Sequence, residues 1–551
     1  MKKSKTKKLG SALLSLSVLA SFVVAAGCGS DSGKTVLEIS PFNGGYGVEW
    51  LSALAEEYEA ANPNVEVKFS KTVVNRANQL TELQSGVAYA DIYFTGAFNI
   101  HGQLDGLLQN KLEKLDDVYE NIGAKINPAV KDWLNHEGSM YAVPWATSVL
   151  GILYHKDFFA ANNIQVPKTT NELFQVCDTI NRLRGENKTQ SYAFSYSGKD
   201  LSSGGCYWGY TFAPWMAQYE TIEGYKQYYS FKDKEGTSYN SDYNTISSDY
   251  KGILRTLEVY EELLKPENAY SNHVQANDDD FTTAQYRFLD GQAQMMMNGD
   301  WIVQEMAKSG NYEKEETKDV SFMHTPIISS IVETMPMWKA NGDEGKEYTS
   351  DPQGVNNAIS DVRKAAYDKA LSAIVAYVDG ETTTNPAGTT VEGIGISQED
   401  VDRIAKARKI VPTMSENHVA VIPTFSDQKE EAKKFLTFMY SDKGIETYSR
   451  NVYGTGLPVS YTNEQISEFV GDSNLLISAY EMLDGAEFTF SQGSKHYVFA
   501  KNNLTPTYRS DGKTYIEAFT TKTSSNKESA YTFYTKSQLQ VINAWDSLIK
   551  R

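Results

Sequence analysis

The stretch from Ser139 to Phe159, SMYAVPWATSVLGILYHKDFF, constrains the fold of this chain more than any other. Its apolar run Val149–Leu153 is short and continuous, which is typical of a strand buried on both faces rather than of an amphipathic helix. Pro144 interrupts the stretch, because proline has no N–H to donate and favours extended geometry at Val143. We therefore predict that one strand ends near Val143, another begins near Val149, and the chain crosses between two lobes there. An ordinary buried strand within a single domain is the alternative at this point.

The length and charge of the chain exclude several classes of protein. A chain of 551 residues exceeds what one hydrophobic core usually supports, so two or more domains are expected. The formal charge of −18, with no basic stripe after the N-terminus, excludes recognition of nucleic acid through phosphates. Aromatic residues make up 12% of the chain, which favours a protein that binds uncharged polar ligands. Three cysteines exclude a disulfide scaffold, and Cys177 and Cys206 fit either a single bridge or two buried thiols.

The N-terminus carries an export signal. Residues 1–27 combine a lysine-rich start, an apolar run over Leu9–Ala26 and small residues before Cys28. This ending resembles a bacterial lipobox, which implies that Cys28 is lipidated and becomes the first mature residue; plain secretory cleavage is the alternative. Residues 28–34 are expected to be a flexible tether. No later apolar run approaches 18 residues, so we expect a protein that is lipid-anchored at the outer face of the bacterial cell membrane and does not span it.

The exported chain opens with an α/β pattern. In order, we predict a strand over 35–40, a helix over 48–61, a strand over 65–69 and a strand over 90–95. Ligands gather beyond the carboxyl ends of strands in open α/β sheets. The loops that hold Asn43, Tyr46 and Phe98 are therefore expected on one rim, with simple turn chemistry as the alternative for the loop glycines.

The segment Tyr207–Tyr219, YWGYTFAPWMAQY, contains six aromatic residues. Gly209 and Pro214 argue against a regular core element here. Trp208 and Trp215 therefore belong either to a wall that faces a ligand or to packing beneath a loop.

The segment Phe281–Met306 predicts a helix that ends at Leu289, a strand over Ala293–Met297 and a turn at Asn298-Gly299. Its pattern FLxGxAxMMxNGDWxxxEM resembles the extracellular solute-binding proteins of ABC transporters, in the large family that takes up carbohydrates. Three further blocks resemble the same family in order and spacing, namely residues 44–67, 140–173 and 417–450. The chain is identified as a member of this family, which includes maltose-binding proteins.

The resemblance implies an α/β fold of the two-lobed, periplasmic-binding-protein-like type II, with a multi-segment hinge. It assigns residues 35–145 and 325–455 to lobe one, and residues 146–324 and 456–551 to lobe two. The chain departs from the family in an insertion over about 330–416, with helices predicted near 362–378 and 398–409, which we expect to decorate the outer face of lobe one. The implied function is capture of a carbohydrate, expected to be an oligosaccharide, and its delivery to the permease subunits by a monomeric protein.

Trp301 follows Asn298-Gly299-Asp300, where the resemblance implies an aromatic side chain stacked on a sugar ring. A pyranose has an apolar C–H face that an indole can cover, while amides and carboxylates bind its hydroxyls. Core packing is the alternative for Trp301, and an N-cap role is the alternative for Asp300. The further candidates for the ligand cleft are Asn43, Tyr46, Phe98, Trp145, Trp208, Trp215, Asn298 and Trp338.

An enzyme is the main competing class. Glycoside hydrolysis needs two carboxylates at a set separation, and no spacing singles out one pair among 70 acidic residues. The sequence has no HExxH, GxSxG or P-loop motif, and its seven scattered histidines suggest no metal geometry. We therefore predict a binding protein without catalytic residues or cofactor, and the sequence indicates no metal ligands. The alternatives are a secreted glycan-active enzyme, a surface adhesin and a binding protein for a non-sugar solute.

Overall fold

The structure is a computed structural model that describes residues 33–70, 76–87, 89–96, 98–196, 211–230, 250–269, 281–302, 304–305, 319–349, 357–491, 514–520 and 528–549. The predicted signal peptide with Cys28, and also Trp208 and Cys206, lie outside these residues. Cys177 is buried. Within the described ranges, no helix has both the length and the apolar character needed to cross a membrane.

The secondary structure of the described ranges alternates between short strands and helices. The strands are β1 (Thr35–Ser40), β2 (Val65–Phe69), β3 (Ile92–Thr95), β4 (Asn135–His136), β5 (Ser139–Met140), β6 (Val143–Pro144), β7 (Leu150–His155), β8 (Tyr192–Phe194), β9 (Ala293–Gly299), β10 (Val320–Met323), β11 (Thr390–Val391), β12 (Ile394–Gly395), β13 (Ile410–Thr413), β14 (Val419–Val421) and β15 (Glu487–Phe490). The α-helices are α1 (Glu49–Ala61), α2 (Arg76–Ser85), α3 (Ile100–Leu104), α4 (Asp116–Ile122), α5 (Pro128–Leu134), α6 (Lys156–Ala161), α7 (Thr170–Gly185), α8 (Phe212–Tyr229), α9 (Gly252–Leu263), α10 (Phe281–Leu289), α11 (Pro336–Ala340), α12 (Asp361–Val378), α13 (Gln398–Arg408), α14 (Lys429–Met439), α15 (Asp442–Asn451), α16 (Asn463–Val470), α17 (Asn474–Leu483), α18 (Tyr515–Thr520) and α19 (Ala530–Ile549). Short 3₁₀-helices span Ser329–Thr334 and Ser415–Asn417.

The first lobe is built on a sheet with the strand order β2-β1-β3-β14-β6. β1 runs parallel to β2 and β3, while β14 runs antiparallel to β3 and β6. Helix α1 buries Trp50, Leu54 and Tyr58, which share one face because they are spaced four residues apart. The predicted strand–helix–strand opening of the chain is confirmed.

The second lobe is built on a sheet with the strand order β10-β7-β9-β8. β7 is buried at every residue and runs antiparallel to β9 and β10. In β9, Met295 and Met297 enter a core that contains residues of α7, α8 and α9, whereas Met296 enters the core shared with α10 and α17. Helices therefore cover both faces of this sheet, which explains the apolar runs Leu150–Leu153 and Met295–Met297 in its central strands.

The chain changes sheets next to Pro144, as the sequence predicts. Val143 pairs with Ala420 in the first sheet, and Leu150 pairs with Gly299 in the second. Proline suits the end of β6, since the ladder stops there and its missing N–H breaks no hydrogen bond.

Among the residues that the structure describes, three segments pass between the lobes, and we call them the crossing segments: residues 144–149, 410–418 and 453–457. They are hydrogen-bonded to one another at Thr147, whose N–H and hydroxyl donate to the carbonyl of Gly456 at 3.1 and 2.8 Å. The carbonyl of Thr147 accepts from the hydroxyl of Thr413 at 2.5 Å. Ser148, the next residue, has the left-handed backbone angle φ of 56°. The three segments therefore form one hydrogen-bonded unit between the lobes.

The insertion packs with lobe two, not with lobe one as the sequence analysis expects. Trp338 and Tyr367, whose ring centroids lie 5.2 Å apart, share a core with Trp215 of α8. The indole N–H of Trp215 donates to the carbonyl of Pro326 at 3.0 Å, just before the insertion begins. The apolar faces of α12 and α13 are covered in this core, so packing assigns the insertion to lobe two.

The aromatic segment around Trp215 is helical from Phe212, where the sequence argues against a regular element, and the left-handed φ of 72° at Thr221 then interrupts α8. Pro214 is the third residue of α8, a position whose backbone N–H has no partner within a helix. The proline therefore removes no helical hydrogen bond. Phe212, Trp215 and Tyr219 are all buried, so this part of the segment is core packing.

Candidate functional site

The first-lobe loop after β1 meets the end of β9 where the two lobes face each other. The ring of Tyr46 lies edge-on to Trp301, with centroids 5.9 Å apart and an interplanar angle of 72°. A Cβ at Gly45 would lie only 2.7 Å from atoms of the Trp301 side chain, and a Cβ at Gly299 would lie 2.2 Å from its ring. Trp301 is thus held between two glycines from opposite lobes, because only glycine allows so close an approach.

Asp300 links both lobes to the third crossing segment. Its Oδ1 accepts from the hydroxyl of Tyr46 at 2.5 Å, and its Oδ2 accepts from the N–H and hydroxyl of Thr455 at 2.6 and 2.5 Å. Burial raises the pKa of the Asp300 carboxyl to about 6, although these hydrogen bonds favour its charged form. Burial also raises the pKa of Tyr46. Asp300 therefore joins lobe two to lobe one and to the third crossing segment.

Trp145 lies behind the contact between the two lobes and is held in place by residues of lobe one. It stacks on Trp50 with centroids 5.2 Å apart and an interplanar angle of 16°, and its indole N–H donates to the carbonyl of Thr95 at 2.9 Å. The hydroxyl of Tyr448 donates to the backbone carbonyl of Trp145. Its ring also meets His418 edge-on at 4.8 Å. Trp145 is therefore positioned by lobe one and is only 1% exposed.

Phe42 and His418 complete the aromatic cluster, and the sequence analysis predicts neither. The ring of Phe42 fills the space beside Gly44 and Gly96, where a Cβ would lie 2.2 and 2.4 Å from it. These glycines, one in the loop after each strand, are the signal that could have revealed the ring. His418 lies with its Nδ1 2.9 Å from the hydroxyl of Ser148, and burial lowers its pKa to about 4. His418 is therefore neutral at pH 7.

Residues 53–343, more than half of the 551-residue chain, match the family of bacterial extracellular solute-binding proteins. This chain belongs to that family. The solute-binding protein is similar to the maltotriose-binding protein of Pyrococcus abyssi, with 23% identity over 317 residues that cover 55% of this chain and 53% of the relative. The chain thus spans about half the length of this curated relative.

Two solved structures have the same fold as this solute-binding protein. The GacH receptor of Streptomyces glaucescens, solved unliganded and with acarbose, is 15% identical; the match covers 94% of this chain and 99% of the receptor, with a TM-score of 0.55. An ABC substrate-binding protein of Listeria monocytogenes, solved with cycloalternan, is 13% identical; the match covers 93% and 99%, with a TM-score of 0.53. The predicted α/β, two-lobed fold is confirmed.

Three other predicted residues of the solute-binding protein lie near the lobe boundary. Asn43 is exposed on the same loop as Tyr46. Phe98 is buried, and its N–H donates to the carbonyl of Asn417 at 3.1 Å. Asn298 is buried in β9, where its Oδ1 accepts from the N–H of Gly299 at 2.7 Å. The amide of Asn298 therefore shapes the turn before Trp301.

Trp215 and Trp338 lie in the core of lobe two instead of the cleft. Trp215 has no exposed surface, and Trp338 is 5% exposed and packs on Tyr367. Neighbouring core residues cover their ring faces, so neither indole offers a surface to a ligand. Trp208 lies outside the described residues.

A groove of about 450 Å³ opens at the lobe boundary beside Thr147. Its lining includes Asn127 of lobe one, Tyr480 within α17 and Asp484 just after that helix. The groove contains none of the predicted site residues. Trp301 is 6% exposed, because Gly45 and Tyr46 of lobe one cover its indole.

Proposed function

We propose that this solute-binding protein is the substrate-binding component of an ABC transporter and captures an oligosaccharide between its lobes. The observation that carries the proposal is the contact of Trp301 in lobe two with Gly45 and Tyr46 in lobe one. A ligand at this boundary touches both lobes only when they close on it. Since a ligand shifts an open–closed equilibrium through its differential affinity for the two states, such a contact couples binding to closure.

The aromatic cluster supports a sugar as the ligand. An indole covers the apolar face of a pyranose, while hydroxyls need donors and acceptors at the edge. Opening the lobes breaks the hydrogen bond between Tyr46 and Asp300, and both side chains then become available to sugar hydroxyls. The maltotriose-binding relative, and the structures solved with acarbose and cycloalternan, also support a saccharide. The Listeria protein is described as an ABC substrate-binding protein, which supports delivery to a permease.

The family consists of extracellular proteins. We propose in addition that this chain carries a lipid anchor at Cys28. Its support is the run of small residues before this cysteine after an apolar export signal. Cys28→Ser should release the protein into the medium or leave the precursor unprocessed, because no acyl chains are attached. Cell fractionation and intact-mass measurement test this, and unchanged membrane association with an unchanged mass would contradict the anchor.

Calorimetric titration of the purified full chain with maltotriose, longer malto-oligosaccharides and raffinose tests the function itself. We expect saturable binding of at least one sugar, a higher melting temperature and recovery of the intact sugar by mass spectrometry. Recovery of cleaved sugar would instead support a glycan-active enzyme. Failure of every saccharide, on a broader glycan panel as well, would support a non-sugar solute or an adhesin.

A further inference from the structure

Lobe one brings together three metal-ligating side chains that no sequence motif connects. Asp105 follows α3 directly, and His136 and Glu137 lie in the hairpin of β4 and β5. The ligand atoms of these three residues all lie within 4.8 Å of one another. The side chains of His136 and Asp105 are 14% and 20% exposed. We propose that this cluster binds a zinc ion, in addition to the ligand cleft.

The hydrogen bonds behind His136 determine which of its nitrogens faces Asp105. The carbonyl of Trp133 can only accept, so His101 Nε2, 2.7 Å away, donates to it. The Nδ1 of His136 lies 3.0 Å from the Nδ1 of His101, so this nitrogen is engaged behind the cluster. The remaining nitrogen of His136, Nε2, is therefore the one that faces the cluster.

This nitrogen faces a carboxylate. His136 Nε2 lies 3.6 Å from Oδ1 of Asp105, which is longer than a hydrogen bond. The two atoms are therefore close without a direct hydrogen bond, as two ligands of one metal ion are. The separation is close to the roughly 3.4 Å expected between two ligand atoms of a tetrahedral zinc ion with bonds of about 2.1 Å. The geometry therefore suits a metal ion better than it suits direct contact.

The donor set indicates which metal. One imidazole nitrogen with two carboxylates suits zinc, whereas magnesium and calcium prefer sites made of oxygen atoms alone. The chain from the Trp133 carbonyl through His101 to His136 has the form of an outer shell that orients a metal-bound imidazole. A bound zinc ion would join α3 to the hairpin that leads into the first crossing segment. It would stabilise lobe one whether or not the cleft holds a ligand.

The test uses the full chain, treated with a chelator and dialysed, then titrated with zinc chloride and, separately, with magnesium chloride. We expect one zinc ion per chain, a higher melting temperature with zinc and no response to magnesium. His136→Ala and Asp105→Asn should each weaken zinc binding at least tenfold, since each removes one of three ligands. Glu120→Gln is the matched control, because it removes an exposed carboxylate of α4 outside the cluster and should leave zinc binding unchanged.

Near-UV circular dichroism establishes that each variant is folded, and Glu137→Gln, at an exposed position, provides a further ligand substitution. The proposal is overturned if the wild-type chain shows no saturable zinc binding, or if these variants bind zinc as the wild type does. If His136 is instead protonated and paired with Asp105, a different outcome is expected. In that case His136→Ala lowers the stability of the chelated protein and zinc has no effect on the wild type.

Discussion

Trp301 and Trp338 are both nearly buried, yet they lie in different surroundings. The indole of Trp301 touches Gly45 and Tyr46 across the lobe boundary, whereas the indole of Trp338 packs on Tyr367 within lobe two. Separating the lobes exposes the first ring and leaves the second covered. Replacing each tryptophan with alanine therefore tests sugar binding at Trp301 and core packing at Trp338.

Trp301→Ala should weaken sugar binding by about 2–4 kcal/mol, the scale of an interface hot spot, because it removes the stacking surface. Trp338→Ala is the control and should lower the free energy of unfolding by about 3–5 kcal/mol with little change in affinity, because it leaves a cavity in the core. Calorimetry and denaturant unfolding measure both quantities. Near-normal affinity with a large loss of stability in Trp301→Ala would identify Trp301 as a core residue.

Asp300 should make the stability of the protein depend on pH. Its pKa is about 6 in the folded protein and about 3.9 in an unfolded chain, so the folded state binds the proton more tightly. The resulting stabilisation is fully present below about pH 4 and is lost as the pH rises through about 6. A shift of roughly two pKa units corresponds to about 3 kcal/mol.

Asp300→Asn removes this titration while keeping the shape of the side chain. The free energy of unfolding of the wild type, minus that of the variant, should fall by about 2–3 kcal/mol between pH 4 and pH 7. Urea unfolding at several pH values measures it. Asp442→Asn, at an exposed residue paired with Lys125, is the control and should leave this difference nearly constant. Parallel pH profiles for wild type and Asp300→Asn would show that Asp300 does not titrate in this range.

At the scale of elements, β7 depends on a glycine in a crowded position. A Cβ at Gly151 would lie 3.2 Å from the ring of Phe322 in β10 and 3.4 Å from the terminal methyl of Met482 in α17. Helix and strand are therefore packed directly on the backbone of β7. This close packing covers the face of the central strand that points towards α17.

Gly151→Val should lower the free energy of unfolding by about 1–3 kcal/mol, because the added carbons overpack this contact. Gly185→Ala is the matched control: nothing lies within 4 Å of its Cβ position at the end of α7, so the change should be neutral or stabilising by about 0.5–1 kcal/mol. Urea unfolding at pH 7 compares the two. Equal stability of Gly151→Val and the wild type would mean that α17 moves away without cost.

At the scale of the whole molecule, the three crossing segments connect two lobes that also touch through Tyr46 and Asp300. The contacts at Thr147 lie within the connection itself, so they can persist when the lobes separate. The contact between Tyr46 and Asp300 cannot, because its partners belong to different lobes. This difference is what a hinge requires.

Small-angle scattering should detect the motion. The radius of gyration should decrease when a saturating sugar is added, because the ligand favours the closed state. A sugar that shows no heat of binding serves as the control and should leave the curve unchanged. Identical curves with and without a sugar of proven affinity would exclude hinge closure from the mechanism.

Local chemistry determined much of this fold and is readable in the sequence. Pro144 marks the change of sheet because proline lacks a backbone N–H, and this effect is confined to its own segment. The strand over 65–69, and the helices near 362–378 and 398–409, follow from periodicity within single segments. The four family blocks also identify the fold, since their order along the chain is itself sequence information.

Only the tertiary structure decided which segments meet. The sequence could not assign the insertion to lobe two, because its apolar faces would suit either core. It could not show that Trp215 and Trp338 pack inside lobe two while Trp301 lies at the lobe boundary, because burial depends on contacts between separate segments. For the same reason, the sequence does not show that Asp105 approaches His136 or that Tyr46 contacts Asp300. These contacts exist only once separate segments have packed together.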